Sequence, residues 1–298
     1  MSPIVWLASY PKSGNTWLRA FLANYLRDAP EPVDVNDLGT DGIASDRGRF
    51  DKFVGISSSY LTDEEVDIYR PGLYELLAAH SPETLWIKVH DAFTRNEAGK
   101  DLFPASATRC ALYVLRNPLD LAISLAHHAG RSVERCVPLL AEGEGASESP
   151  KGLSKQLRQR YQSWSVHVTS WLDLAPFPVH GMRYEDMLAR PLETFSAAVR
   201  AAGLALDPER VARAIEHSRF EVLAAQEAET GFRERPAAAG RFFRQGRSGG
   251  WREALSREQV SRIVQANAET MRRFGYLAET EETEPGGTGG DPRTLPVQ

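Results

Sequence analysis

The stretch Ile4 to Arg27, IVWLASYPKSGNTWLRAFLANYLR, constrains the fold of this chain more than any other part of it. IVWLAS has the length and β-branching of a buried strand, and TWLRAFLANYLR sets Leu18, Phe21, Leu22 and Tyr25 at helical spacing. Between them lies a short polar turn with a lysine, a serine, a glycine and an asparagine. The chain therefore opens as strand, loop, helix.

The same alternation continues. Further strands are expected at 84–90 (TLWIKVH), 110–115 (CALYVL) and 178–184 (PVHGMRY). A helix is expected after Thr62-Asp63-Glu64, and another begins at Asn117-Pro118, with asparagine as cap and proline in the first turn. A helix ending near Leu172 and others around 191–202, 207–217 and 256–274 complete the pattern. Residues 29–59, rich in Pro, Asp, Gly and Ser, read as irregular, and 142–152 as a mobile loop. Strands followed by helices predict an α/β fold, a P-loop-like three-layer sandwich whose central, mainly parallel sheet is flanked by helices. With 298 residues, 42% of them hydrophobic, the chain can bury a large core. One domain is expected over 1–278, and a disordered Gly/Pro-rich tail over 279–298.

That tail holds Glu279, Glu281, Glu282, Glu284 and Asp291 against Arg293, so most of the net charge of −5 belongs to it. The rest is nearly neutral, which argues against broad nucleic-acid binding but leaves room for a local anion site. No apolar run approaches the roughly 18 residues of a membrane span, and the N-terminus lacks the marks of a signal peptide. Cys110 and Cys136 are too few for a disulfide framework and read as inert thiols. A cytoplasmic protein is expected.

A loop leaving a strand and entering a helix turns successive backbone N–H groups toward one point, where the helix dipole adds positive potential. Ser13, Gly14, Asn15 and Thr16 are placed to donate those groups, Gly14 permits the tight turn, and Lys12 adds a full charge. Such a loop cradles a phosphate. It is not a Walker loop, because G-x-x-x-x-G-K-[ST] puts the lysine after both glycines, whereas Lys12 precedes Gly14. No acidic strand end offers itself for magnesium, so the donor is expected to need no metal.

At this point the stretch resembles the 5′-phosphosulfate loop of the sulfotransferases that use 3′-phosphoadenosine-5′-phosphosulfate (PAPS). Their pattern Y-P-K-S-G-T-T-W is matched as Y-P-K-S-G-N-T-W, with Asn15 the one departure. WLASYPKSGNTWLR is similar to bacterial members that sulfate natural products such as glycopeptides. The resemblance implies a cofactor contact for each of Lys12, Ser13, Gly14, Asn15, Thr16 and Trp17.

PAPS carries a second anion, the 3′-phosphate, which demands a second basic site on another strand end. YVLRNPLDLAISLAHH (113–128) supplies Arg116, whose planar fork suits phosphate, and Ser124 on the following helix. The stretch resembles the family's 3′-phosphate motif, so both residues inherit that role; the resemblance also implies that Ser124 restrains Lys12 until an acceptor is present. RQGRSGGW (244–251) is similar to the family's R-K-G-x-x-G-x-W segment, with Arg244, Gln245 and Gly246 at the first three positions. Gln245 removes a charge, for which Arg247 or Arg241 could compensate. Trp17, Tyr184, Ser218 and Phe220 match base-contacting positions and would form a flat slot for adenine.

The acceptor needs a base. Strand alternation puts Lys88 and His90 of IKVH on one face, and a histidine at a strand exit suits proton abstraction near neutral pH. The segment resembles the family's K-T-H, whose histidine is the general base and whose lysine assists at the sulfo group. Catalytic roles are therefore expected for His90, Lys12, Lys88 and Ser124. The family's Leu-Pro after the histidine is Asp91-Ala92 here, a change that could alter the acceptor pocket. His127 and His128 read as structural or pocket residues without a metal. Segments 29–60, 91–104 and 130–152 would shape the entrance, the last as a lid, with Phe50, Phe53, Tyr60 and Phe93 as candidate lining.

The expected function is sulfo transfer from PAPS to a hydroxyl of a small-molecule acceptor, with no nucleic-acid partner. Two rival readings stay open at this stage. A metal-dependent nucleotide kinase or NTPase would bind ATP with magnesium tightly and ignore 3′,5′-bisphosphorylated adenosine. A non-catalytic nucleotide-binding protein would sulfate nothing.

Overall fold

The computed structural model describes residues 4–143, 154–236 and 239–277. In chain order the elements are β1 (Ile4–Ser9), α1 (Asn15–Arg27), α2 (Arg47–Val54), α3 (Asp63–His80), β2 (Trp86–Val89), β3 (Thr108–Leu115), α4 (Pro118–Ala129), α5 (Val137–Glu142), α6 (Trp164–Thr169) and β4 (Val179–Arg183). Six helices follow: α7 (Tyr184–Ala189), α8 (Pro191–Ala201), α9 (Pro208–His217), α10 (Phe220–Thr230), α11 (Trp251–Ala254) and α12 (Arg257–Arg273). The strands form one sheet in the order β2-β1-β3-β4, and every pairing is parallel.

β1 is buried along its whole length because both faces of the sheet are covered. Trp6 and Ala8 pack with Tyr74, Phe103, Tyr113, Trp164 and Trp171 on one side. Val5 and Leu7 pack with Leu18, Phe21, Phe195 and Val199 on the other. The expected three-layer α/β arrangement is thus what the chain adopts.

The sheet order sets the site. The crossover from β1 leads to β2 on one side, and the next leads to β3 on the opposite side, so the chain reverses direction at β1, where open α/β sheets leave a crevice beyond their strand ends. Register brings the ends level: Ala8 lies beside Val89, and Ser9 beside Val114. The loop after Ser9, His90 after Val89 and Arg116 after Leu115 therefore leave the sheet side by side. Leu115 pairs with Arg183, which sets Tyr184 beside Arg116.

Several local expectations need correction. Residues 29–59 are not wholly irregular: Asp46 accepts a hydrogen bond from Arg49 N at 2.6 Å and caps α2, a signal masked by Gly48. Within the same segment, Gly42 and Ala44 exchange backbone bonds with Lys88 at 3.0 and 2.8 Å and cover the β2 edge. Tyr184 opens α7 rather than closing β4. The helix expected before Leu172 starts only at Trp164, after extended chain, and continues as a π-turn over Ser170–Leu174. Helices α5, α7, α10 and α11 were not expected. Most of the 142–152 loop and the 279–298 tail lie outside the described residues. No helix among the described residues is long and apolar enough to cross a membrane.

Candidate active site

Gly14 precedes α1 with φ 111°, and a Cβ there would lie 2.7 Å from Cδ2 of Tyr184. Only glycine allows both the left-handed turn and that approach. Asn15, the departure from the family pattern, donates through Nδ2 to Leu7 O at 2.7 Å and to Ser9 Oγ at 3.2 Å. Its side chain ties the helix start back to the strand it came from. Ser13 Oγ is buried without a hydrogen-bond partner, a situation that costs about 1–3 kcal/mol when nothing compensates it.

Lys12 and Arg116 meet in one place. Arg116 Nη1 donates to Lys12 O at 3.2 Å and Nη2 to Arg247 O at 3.0 Å, while its guanidinium carbon stacks 4.3 Å from the Tyr184 ring centre. Arg116 Nε is buried without a partner. The Lys12 ammonium lies 3.7 Å from the centre of the Phe242 ring. Burial, followed by the charges of Lys88 and Arg116, lowers the Lys12 ammonium to about 7.

The 244–251 segment is strapped at both ends by buried carboxylates that sequence reasoning did not single out as anchors. Glu227 of α10 accepts from Phe242 N at 2.8 Å and Phe243 N at 2.9 Å. Asp120 of α4 accepts from Gly249 N at 2.7 Å and Trp251 N at 3.1 Å. Between the anchors, Gly246 has φ +60°, and a Cβ there would fall 2.5 Å from the Phe220 ring. Arg244 is exposed, and burial together with repulsion from Arg116 and Arg247 lowers its guanidinium below its ordinary range. Gln245 and Arg247 line the same cavity, whereas Arg241 does not.

Trp17 and Tyr184 stand edge to face, ring centres 5.8 Å apart, and Phe220 lines the cavity with them. Ser218 is buried, and its hydroxyl donates back into α9, to Ala214 O at 2.8 Å and Ile215 O at 3.2 Å. It can offer a ligand only its lone pairs.

His90 Nδ1 lies 2.8 Å from Ser9 O. A carbonyl only accepts, so Nδ1 carries the proton and Nε2 keeps its lone pair. Burial, then the Lys88 charge, holds the imidazole well below its ordinary titration range, neutral at pH 7. Its backbone is fixed by a buried relay absent from any motif: Tyr113 OH sits 2.8 Å from His167 Nδ1, and His167 Nε2 donates to His90 O at 3.0 Å. Lys88 Nζ bonds Glu234 Oε2 at 2.9 Å, and Arg19 Nη1 bonds Glu234 Oε1 at 2.6 Å. Burial opposes the Glu234 charge, but Lys88 and Arg19 outweigh it and hold the carboxyl at about 2. Ser124 lines the same cavity.

The family model described as the sulfotransferase domain matches residues 2–275. The chain belongs to the sulfotransferase family. Cytosolic sulfotransferase 17 of Arabidopsis thaliana is 24% identical over 288 residues, 91% of this chain and 75% of the relative. Mouse sulfotransferase SULT7A1 complexed with PAP shares the fold at a TM-score of 0.60 with 18% identity, over 95% of this chain and 90% of that one. Retinol dehydratase in complex with androsterone and the inactive cofactor PAP gives 0.57 with 19% identity, over 90% and 80%.

In this sulfotransferase Lys12, Lys88, His90, Arg116, Ser124, Tyr184, Ser218, Phe220, Arg244, Gln245 and Gly246 line one cavity of about 1350 Å³, beyond the roughly 300–1,000 Å³ common for a single small ligand. Its lining also includes the apolar Ile43, Leu125, Leu139, Leu157, Tyr161, Phe242 and Phe243 and the polar Asp46, Arg131, Arg135, Gln156 and Gln159. The expected lining aromatics are elsewhere: Phe50 and Phe93 are buried core, and Phe53 and Tyr60 face solvent. None of them, and nothing in 91–104, reaches the cavity. Asp91 is turned from it as well, into a buried ion cluster with Arg70. His128 lines the cavity beside Phe242, at 6.2 Å between ring centres. No cluster of three or more metal-ligating side chains occurs among the described residues.

Proposed function

We propose that the protein moves the sulfo group of PAPS to a hydroxyl of a small-molecule acceptor by in-line transfer, with His90 as the general base. The observation that carries this reading is that Lys12, Arg116 and His90, which leave three different strands, line one cavity. PAPS would supply an activated sulfo group whose bond to the 5′-phosphate oxygen breaks as the acceptor oxygen bonds to sulfur.

The residues present fit such a ligand. Arg116 Nε is buried without a partner, and Gly14 lines the cavity while its missing Cβ leaves room for the Tyr184 ring. Lys12 and the N–H groups of Gly14, Asn15 and Thr16 would hold the 5′ end, whereas Ser13 N already donates to Tyr10 O at 3.3 Å. Arg116, Ser124, Arg244, Gln245 and Gly246 would hold the 3′-phosphate, while Trp17, Tyr184, Ser218 and Phe220 flank the base. His90 Nε2 takes the hydroxyl proton, Lys12 neutralises charge on the departing oxygen, and Lys88 assists at the sulfo group. The mixed lining, Ile43, Leu139, Leu157 and Tyr161 with Asp46, Arg131, Gln156 and Gln159, suits an acceptor that carries polar groups on an apolar body. A cytoplasmic setting is in keeping with the relative named as cytosolic.

The deciding experiment is incubation with PAPS and a panel of hydroxylated metabolites, read by mass spectrometry, alongside calorimetry with adenosine 3′,5′-bisphosphate (PAP) in the absence of magnesium. Sulfo addition and magnesium-independent binding are expected. No addition to any acceptor, with ATP and magnesium bound in preference to PAP, would refute the reading.

Two further results are expected. Gly246→Ala combines a left-handed backbone with a 2.5 Å clash against Phe220, strain worth about 1–3 kcal/mol, so PAP affinity should fall by roughly tenfold or more; an unchanged titration would remove the segment from the nucleotide site. The pH profile of kcat/KM for PAPS should decline as pH rises through about 7, because the free enzyme's Lys12 is charged only below that value. His90, held neutral, adds no acid limb at its ordinary pKa of about 6.5. A profile flat to pH 9 would show that Lys12 keeps its charge through that range and that burial does not lower it.

A further inference from the structure

Lys12 is fixed at both ends. Its backbone stands at φ 71°, a left-handed conformation uncommon for a lysine, and its carbonyl oxygen accepts the 3.2 Å bond from Arg116. Its ammonium rests 3.7 Å from the centre of the Phe242 ring. Phe242 is in turn held from several sides. Glu227 Oε1 takes its backbone N–H at 2.8 Å, and its ring packs edge-on against Phe232 at 4.7 Å and against Phe243 at 5.1 Å.

We propose that Phe242 is the positioning residue for Lys12: its ring face holds the lysine ammonium in the cavity, at the entrance to the phosphate loop, whenever no anion occupies that loop. The inference rests on the catalytic reading of Lys12 given above. It is a restraint of the nucleotide-free state, distinct from the one the family resemblance places on Ser124 until an acceptor is present.

The electrostatic reason lies in what surrounds the ammonium. Lys88 from β2 and Arg116 beyond β3 repel it, and His128 of α4 is neutral, lowered to about 4 by burial and by the Lys12 and Lys88 charges. Glu227 and Glu234 attract it, but Glu234 is bonded to Lys88 and Arg19 and Glu227 to two backbone N–H groups. The negative face of an aromatic ring draws the ammonium while competing for none of those partners. A phosphosulfate, with full negative charge, would outbid a ring face, so the contact gives way when the nucleotide binds.

The test uses Phe242→Leu, which keeps an apolar side chain but removes the ring face, and Phe242→Trp, which keeps a ring face. In the parental protein the side-chain methylene protons of Lys12, identified by difference against Lys12→Arg, should resonate upfield from ring current. Phe242→Leu should abolish that displacement, and Phe242→Trp should retain it. In parallel, the alkaline limb of kcat/KM for PAPS should move to lower pH in Phe242→Leu by about half a unit to one unit, since loss of the contact weakens the charged form, and should stay in place in Phe242→Trp. An upfield displacement that persists in Phe242→Leu, or an alkaline limb that does not move, would overturn the proposal. Failure of the parental protein to transfer sulfo groups would refute the functional reading instead, and the Lys12 resonance would still decide whether the ring holds the lysine.

Discussion

His90→Ala should lower kcat by about 10²–10⁴-fold, the usual contribution of a positioned general base, while leaving PAP affinity close to parental. The surroundings of the imidazole suit the proposed role. Ser9 O fixes the proton on Nδ1 through the 2.8 Å contact, and the relay through His167 and Tyr113 holds the backbone from the other side. Burial and the nearby Lys88 charge keep the ring unprotonated at neutral pH, so Nε2 is available to accept a proton in nearly every molecule. The nucleotide candidates gather around Arg116, Tyr184 and the 244–251 segment, which is why affinity and turnover should separate. Steady-state rates with PAPS and an acceptor, together with a calorimetric titration with PAP, check both halves. Transfer at the parental rate by purified His90→Ala would assign proton removal to another group.

Asp91→Ala should destabilise the fold by about 3–5 kcal/mol, the cost of stranding a buried charge, and lower Tm on the order of 10 °C. Asp91 receives Arg70 Nη1 at 3.1 Å and Nη2 at 2.9 Å, and Arg160 N at 2.9 Å. Arg70 is wholly buried. Its other partners, Asp67 at 3.2 Å and the Tyr74 hydroxyl at 3.1 Å, cannot replace a bidentate carboxylate. Asp91→Asn, which keeps one acceptor oxygen, should lose less. Because Asp91 follows His90 directly and accepts Trp171 Nε1 on its own carbonyl at 2.9 Å, the cluster also braces the backbone next to His90. Thermal unfolding of both variants decides the matter: an unchanged Tm in Asp91→Ala would show that the ion cluster contributes nothing net.

The two roles of this region illustrate how far a linear pattern reaches. Strand alternation put Lys88 and His90 on one face, and both do line the cavity. The same stretch offered no means of telling that Asp91, one position on, turns inward to an arginine of α3. Nor did it suggest the Lys88 partner, since Glu234 lies 146 residues later in a segment with no regular element. Asp120 was visible within the R-N-P-x-D start, but its work as an anchor depends on the N–H of Trp251, 131 residues away. The acceptor lining was misplaced for a related reason. Phe50 and Phe93 are as apolar as Leu139 or Phe243, and only packing decides which of them faces a cavity.

What the sequence determined by itself is local in origin: the four strand positions, the glycine that opens the phosphate loop, the cap before α4, and the residue types at each strand exit. Period and backbone freedom act over a few residues, so they can be read from a few residues. The tertiary structure alone decided the rest: the strand order that brings three exits to one crevice, the carboxylates that strap the 244–251 segment, and the ring on which Lys12 rests. Those outcomes are contacts between groups far apart along the chain, and they exist only once burial of both sheet faces has fixed where each group stands.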